Sequence, residues 1–176
     1  MKIGVISDTH IPMKVDKLPD ELVKALKGCD LIMHAGDLVE LSVLEDLKKI
    51  TKVEAVYGNM DSAKVRTALP DKKILRLGGK VLCLMHGYDN PDNLIDILKK
   101  EFIREKPDII VYGHSHRPTN EYIDEILFFN PGSCTDTVFA PYRSYGIIEI
   151  DKGEIKAGIY KLGGSCKNCL KLKSQK

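Results

Sequence analysis

Residues 109–119 read IIVYGHSHRPT, in which an apolar run is followed at once by a glycine and two histidines one residue apart. A short apolar run that stops at polar residues is typical of a buried β-strand. The chain contains only five histidines, so the pairing of His114 and His116 at the end of one strand is an unusual concentration. The stretch therefore predicts a core strand whose carboxyl end carries functional side chains.

Other predicted strands end in the same way. Apolar runs that stop at polar residues occur in KIGVIS (2–7), LIMHAGD (31–37), VEAVYGNMD (53–61) and VLCLMHG (81–87). In chain order, the ends of these runs carry Asp8, His10, Asp37, Asn59 and His86. The carboxyl ends of adjacent parallel strands lie at one edge of a sheet, which is the usual place for a site in α/β folds. The sequence therefore predicts that these side chains converge with His114 and His116.

The order of the elements predicts the fold class. Amphipathic helices are expected within 18–30, 41–50 and 92–105, and the first third alternates strand and helix as in a parallel sheet with right-handed crossovers. Residues 73–87 have the pattern of a hairpin around Gly78-Gly79, and the segments after residue 120 alternate like antiparallel strands. We predict an α/β fold in which two mixed β-sheets pack as a sandwich with flanking helices.

Composition indicates one domain and a tail. The 176 residues fit a single domain, predicted over 1–162, followed by a flexible lysine-rich tail over 163–176. Residues 161–176 contain five lysines and no acid, so residues 1–160 hold three more acidic than basic side chains. This balance argues against a stable nucleic-acid complex. Because the sequence also contains no long apolar stretch, we expect no membrane association and a cytoplasmic location.

The five cysteines give no clear functional signal. Cys29 and Cys83 lie in apolar contexts typical of small core residues, and Cys134 stands alone. Cys166 and Cys169 form a C-x-x-C in the tail, but a single pair does not predict a zinc ribbon. A redox or metal-binding tail stays a less favoured alternative to a plain flexible end.

Taken singly, each polar strand end has an ordinary structural explanation. An aspartate two residues before a histidine can cap a turn, and a lone histidine such as His86 is often a satisfied core residue. Taken together, buried imidazoles and carboxylates at one edge would be costly without a metal ion. Nitrogen and oxygen ligands suit manganese, iron, zinc or nickel. Seven such ligands suit two ions that share a carboxylate.

The combination D-x-H, G-D, G-N-x-D, H-G and G-H-x-H resembles the calcineurin-like metallophosphoesterase superfamily over residues 3–150. The small size resembles its compact prokaryotic phosphodiesterase branch, which is similar in fold to the phosphoesterase-like subunit of the retromer. The resemblance implies two divalent ions, with manganese favoured and nickel, iron or zinc as alternatives. It assigns Asp8, His10 and His116 to the first ion, Asn59, His86 and His114 to the second, and Asp37 as the bridge between them.

The implied activity is hydrolysis of a phosphodiester by a metal-bridging hydroxide, with Asp37, Asn59 and His86 as catalytic residues. One position departs from the family pattern, because Met60 stands where many members have a histidine that assists the leaving group. The alternatives are a phosphomonoesterase that uses the same site and a non-catalytic protein-interaction scaffold of the same fold. A homo-oligomer is left open.

Four further features have weaker signals. His34 is interpreted as a structural histidine or one that supports the ligands from outside their shell, and Asp61 is expected to cap or orient the turn at Asn59. Arg117 and Arg143 are candidate phosphate contacts. The segment NPGS (130–133) resembles a family motif but is equally well explained as a tight turn.

Overall fold

The computed structural model describes residues 1–163, and the remaining residues 164–176, which include Cys166 and Cys169, lie outside the described part. In the described part, ten strands form two five-stranded sheets. In chain order the strands are β1 (Lys2–Ile6), β2 (Leu31–Ala35), β3 (Lys52–Val56), β4 (Lys72–Leu77), β5 (Lys80–Met85), β6 (Ile109–Val111), β7 (Thr119–Ile123), β8 (Ile126–Asn130), β9 (Ser144–Asp151) and β10 (Glu154–Lys161).

Both sheets are mixed, as predicted. The first has the order β10-β9-β1-β2-β3, and the second has the order β4-β5-β6-β8-β7. Strands β1, β2 and β3 are parallel, and β9 joins β1 in antiparallel orientation. In the second sheet, β5, β6 and β8 are parallel while β4 and β7 form antiparallel edges. The hairpin predicted around Gly78-Gly79 joins β4 to β5.

Four α-helices flank the sheets: α1 (Asp20–Leu26), α2 (Ser42–Lys48), α3 (Ala63–Ala68) and α4 (Leu94–Glu101), the last preceded by the 3-10 turn Pro91–Asn93. The sequence predicted α1, α2 and α4 but not α3. Helix α3 has six residues and buries only Val65, so it lacks the apolar repeat by which the longer helices were found. Within the described residues, no helix is long and apolar enough to cross a membrane.

The main apolar layer lies between the two sheets. Side chains of β1 and β2, such as Val5 and Met33, pack against Leu82, Val111 and Phe129 from the second sheet. A separate cluster covers the outer face of each sheet beneath its helices. This arrangement confirms the predicted sandwich, and it fixes the carboxyl ends of strands from both sheets at neighbouring positions.

Phe129 offers a test of the layer between the sheets. Its side chain is fully buried, and two of its ring carbons lie 2.3 and 2.5 Å from the position that a Cβ at Gly146 would take, so the ring packs directly against β9. We expect Phe129→Ala to lower the free energy of unfolding by about 3–5 kcal/mol, because it leaves a cavity between the sheets. Urea unfolding measures the loss.

The matched control is Phe139→Ala, which makes the same chemical change at a side chain that is 72% exposed. It should change the unfolding free energy by less than about 0.5 kcal/mol. Equal losses in the two variants would contradict the packing described for Phe129.

Candidate metal centre

The predicted ligands lie where the carboxyl ends of strands from the two sheets meet. Asp8 and His10 follow β1, Asp37 follows β2 and Asn59 follows β3, whereas His86 follows β5 and the pair His114 and His116 follows β6. The sequence predicted convergence at one edge of a single sheet. The structure instead draws the residues from two sheets, because the face-to-face packing brings the end of β5 beside the ends of β2 and β3.

One group of candidate ligands consists of Asp8, His10 and His116, whose ligand atoms lie within 4.8 Å of one another. The Nε2 atoms of the two imidazoles are 3.2 Å apart, and Nε2 of His116 is 3.3 Å from Oδ1 of Asp8. Two imidazole nitrogens that face each other and a carboxylate form a donor set suited to a divalent cation.

A second group consists of Asp8, Asp37 and His86, again within 4.8 Å. Nε2 of His86 is 3.3 Å from Oδ2 of Asp37 and 3.1 Å from Oδ1 of Asn59. Nδ1 of His114 is 3.0 Å from the same Asn59 oxygen. All seven predicted ligands therefore lie in one cluster.

Both aspartates lie between the two groups. Oδ2 of Asp37 is 3.8 Å from Nε2 of His10 and 3.3 Å from Nε2 of His86. Oδ1 of Asp8 is 4.0 Å from each of the same two nitrogens. Either carboxylate is therefore in a position to serve both groups.

Hydrogen bonds outside the cluster fix the orientation of the imidazoles. Nδ1 of His86 is 2.7 Å from the carbonyl oxygen of Ala35, which only accepts, so Nδ1 donates to it and Nε2 is the nitrogen that faces Asp37. Nε2 of His114 likewise donates to the carbonyl oxygen of Asp89 at 2.7 Å, which leaves Nδ1 free toward Asn59. Such outer partners are typical of metal-binding histidines.

Asp136 fixes the orientation of the His116 imidazole in the same way. Its carboxylate contacts Nδ1 of His116, so Nε2 faces Asp8. Sequence reasoning missed Asp136, which is buried in the irregular segment between β8 and β9 where no strand pattern marks it. Its carboxylate also accepts backbone hydrogen bonds from Val138 and Phe139. Burial would raise the pKa of Asp136, but the N–H of Val138, the imidazole of His116 and the charge of Lys14 lower it to about 2.

Asp61 joins two of the strand ends. Its carboxylate accepts hydrogen bonds from the backbone N–H groups of Gly58 at 2.7 Å, Asp37 at 3.1 Å and Val39 at 2.5 Å. It was expected to orient the turn at Asn59, and it does so by tying that turn to the end of β2. The backbone N–H of Met60 in turn donates to Oδ1 of Asp37 at 2.7 Å.

The NPGS segment supports the site as well as forming a turn. Nδ2 of Asn130 donates to the carbonyl oxygen of Gly113 at 2.8 Å and to Oγ of Ser115 at 3.0 Å, which holds the turn that carries the two histidines. Oγ of Ser133 donates to the carbonyl oxygen of Asp8 at 2.7 Å. The segment thus fixes the ends of β1 and β6 relative to each other.

The site is strongly polarised. Burial alone would lower the pKa of His86, but the carboxylates of Asp37 and Asp8 raise it to about 9. Burial likewise opposes the charged form of His116, yet Asp8 and Asp136 raise its pKa above the ordinary value. The pKa of Asp8 is lowered, because the neighbouring imidazoles outweigh the effect of its burial. The imidazole of His86 is therefore protonated at neutral pH and supplies positive charge to the carboxylates, and a metal cation would supply the same compensation.

The backbone at the candidate ligands is strained. Most L residues avoid positive φ, although Asp and His tolerate it better than bulky residues. Positive φ angles occur at five of the seven candidates: Asp8 (52°), His10 (46°), Asp37 (58°), His114 (68°) and His116 (54°). Each left-handed residue costs on the order of 1–2 kcal/mol. Such clustering is typical of functional sites, where the surroundings impose the geometry.

Two glycines allow strand ends from the two sheets to approach each other. A Cβ at Gly36, where φ is +88°, would lie 2.7 Å from Nδ1 of His86. A Cβ at Gly113 would lie 2.8 Å from Oδ2 of Asp8. These two glycines therefore permit the contact between the ends of the two sheets.

The three weaker candidates from the sequence, His34, Arg117 and Arg143, differ in their surroundings. His34 is buried with Nε2 3.1 Å from Oγ1 of Thr9, and burial lowers its pKa to about 4, so it is neutral and structural in character. Arg117 lines a cavity of about 420 Å³ together with candidate ligands such as His10 and Asp37. Arg143 lies outside this cavity, beside Gly163.

Residues 1–153 match the profile described as the Calcineurin-like phosphoesterase superfamily domain. The chain belongs to this superfamily. It is 31% identical over 163 residues to a probable metallophosphoesterase of Methanothermobacter thermautotrophicus, with 93% of this chain and 94% of the relative covered. It is 30% identical over 172 residues to phosphodiesterase YfcE of Escherichia coli, with 86% and 89% covered.

A solved structure has the same fold as this chain. The crystal structure of wild-type Vps29 from Entamoeba histolytica complexed with Zn²⁺ superposes with a TM-score of 0.77 at 23% identity, covering 94% of each chain. The family resemblance and the two-sheet fold predicted from the sequence are thus confirmed. Members of the superfamily generally bind divalent metal ions, and the chain has candidate ligand groups for them.

Asp136 gives a test of the outer contacts. We expect Asp136→Asn to weaken divalent-metal binding about 10- to 100-fold, because the amide no longer fixes the charge and orientation of His116. Isothermal titration of metal-free protein with Mn²⁺ measures the change. Asp124→Asn, at an exposed aspartate paired with Lys99, is the control and should bind as the wild type does. Unchanged affinity in Asp136→Asn would show that His116 does not depend on this carboxylate.

Proposed function

We propose that this protein is a metal-dependent phosphodiesterase that uses two divalent ions. The observation that carries the proposal is the convergence of two carboxylates, four imidazoles and one amide oxygen, with the outer nitrogens of His86, His114 and His116 already engaged. The relative named as a phosphodiesterase supports the reaction class. Manganese as the preferred ion and a cytoplasmic location remain predictions.

The first proposed ligand set is the group of Asp8, His10 and His116, and the second combines His86 with the neighbouring His114 and Asn59. His10, His116 and Asp8 would hold one ion, and His86, His114 and Asn59 would hold the other. Asp37 is proposed as the bridge, because its Oδ2 lies between His10 and His86 while its Oδ1 is held by the N–H of Met60. The polar donor set fits divalent ions with nitrogen and oxygen preference, and no thiolate takes part.

When bound, two such ions would supply an activated hydroxide and neutralise charge on the phosphate. The chain's own residues would do the rest. Asp61 and Asp136 would hold the ligands in place through the contacts described above. Arg117 lines the cavity, and its side chain makes an exposed ion pair of 3.4 Å with Asp92, so it would be available to contact a phosphate oxygen.

The alternatives predicted from the sequence are less well supported. A protein-interaction scaffold would not need seven polar side chains gathered at one point, five of them on left-handed backbone. A phosphomonoesterase would use the same residues, so only substrate preference separates it from the proposed activity.

The test is hydrolysis by metal-free and Mn²⁺-loaded protein of bis(p-nitrophenyl) phosphate and p-nitrophenyl phosphate. We expect metal-dependent hydrolysis with the diester preferred. Asp37→Asn should reduce kcat/KM by at least about 10³-fold, since it removes the charge of the proposed bridge. Asp46→Asn, which removes an exposed carboxylate paired with Lys49, is the control. Wild-type turnover in Asp37→Asn would refute the assignment.

Met60 leads to a separate prediction. Its thioether cannot transfer a proton, so no side chain at position 60 assists departure of the alcohol. Rates of the wild type should therefore fall steeply as the pKa of the leaving group rises. Met60→His should speed diesters with poor leaving groups more than those with good ones, because a placed general acid contributes about 10²–10⁴-fold.

The measurement is kcat/KM for a graded series of diesters in both proteins, under conditions where chemistry limits the rate. Met60→Leu is the control, because it keeps the apolar character without adding an acid. A wild-type series that is flat against leaving-group pKa would contradict this prediction and indicate another proton donor.

A further inference from the structure

Three large apolar side chains surround the candidate metal centre. Met13, Met60 and Phe139, hereafter the apolar rim, are 59%, 45% and 72% exposed, and all three line the cavity of about 420 Å³ that contains His10 and Asp37. Apolar side chains exposed singly need no explanation, but a group of them around one cavity is a feature of binding sites.

Phe139 of the apolar rim is held beside one of the candidate ligands. Asp136, whose carboxylate contacts His116, also accepts hydrogen bonds from the backbone N–H groups of Val138 at 2.9 Å and Phe139 at 3.3 Å. The rings of Phe139 and His116 meet edge to face, with centroids 6.2 Å apart and planes at 83°. One buried carboxylate thus holds both a proposed metal ligand and an exposed aromatic ring.

Positive charge lies next to the apolar rim. Nζ of Lys14 is 5.4 Å from the centre of the Phe139 ring and 3.5 Å from the carboxylate of Asp136. Lys14 and Arg117 both line the cavity. A cavity with cationic side chains, candidate metal ligands and an apolar wall suits an anion that carries an apolar group.

We infer that the apolar rim binds an aromatic organic group of a phosphate ester whose phosphate lies at the metal centre. The inference rests on the proposed function, because the phosphate must be held there. A planar ring can stack on Phe139, and the thioethers of Met13 and Met60 favour contact with ring edges. The rim side chains offer no strong hydrogen-bond donor or acceptor, so they select for apolar shape rather than for a pattern of polar atoms.

The test compares phenylphosphonate with methylphosphonate by isothermal titration of the Mn²⁺-loaded protein. The wild type should bind phenylphosphonate at least about tenfold more tightly, since only that ligand buries a ring. Phe139→Ala should reduce the preference to less than about threefold, because it removes the stacking partner. The control is Val138→Ala, at a neighbouring side chain that is also 72% exposed but lies outside the cavity lining, and it should keep the preference.

Equal wild-type affinities for the two phosphonates, no binding of either, or a preference that persists in Phe139→Ala would overturn the inference. Hydrolysis of bis(p-nitrophenyl) phosphate by the same samples separates it from the proposed function. Hydrolysis without a phenyl preference overturns the role of the rim alone, whereas a phenyl preference without hydrolysis overturns the proposed activity alone. A wild-type dimer that Phe139→Ala dissociates in sedimentation would assign the rim to a second copy of the chain and also overturn the inference.

Discussion

The carboxylates of Asp8 and Asp37 are buried among imidazole nitrogens at the place where the ends of the two sheets meet. Burying a carboxylate costs free energy unless positive charge lies nearby, so the two carboxylates require neighbouring cations. The imidazoles of His86 and His116 lie beside these carboxylates, which raise the pKa of both and so favour their charged forms. Metal ions would supply positive charge at the same ligand atoms. Either imidazole protons or metal ions can therefore compensate the two buried carboxylates.

Much of the surrounding structure serves to keep that arrangement. Asp61 ties the end of β2 to the turn after β3, Asn130 holds the turn after β6, and Asp136 holds His116. These contacts offset the strain of the left-handed residues, which would relax if the loops were free. The rigid layer between the sheets supplies the scaffold, and the loops at its edge supply the chemistry, which is the usual division in such folds.

The sequence was sufficient to predict the fold class and the convergence of the seven candidate ligands, because strong apolar runs that end in His, Asp and Asn are local signals. It did not reveal that the ligands come from two sheets, since the packing of one sheet on the other has no local signature. Helix α3 was too short to show a repeat. Asp136 and Phe139 lie in an irregular segment without periodicity, so their place beside His116 depends on tertiary structure alone.

The central claim, that the cluster holds two ions bridged by Asp37, is tested most directly by anomalous diffraction from crystals soaked in Mn²⁺. The account predicts two anomalous peaks about 3.5–4 Å apart on either side of the Asp37 carboxylate, one near Nε2 of His116 and the other near Nδ1 of His114. A single peak, or peaks away from these imidazoles, would contradict it.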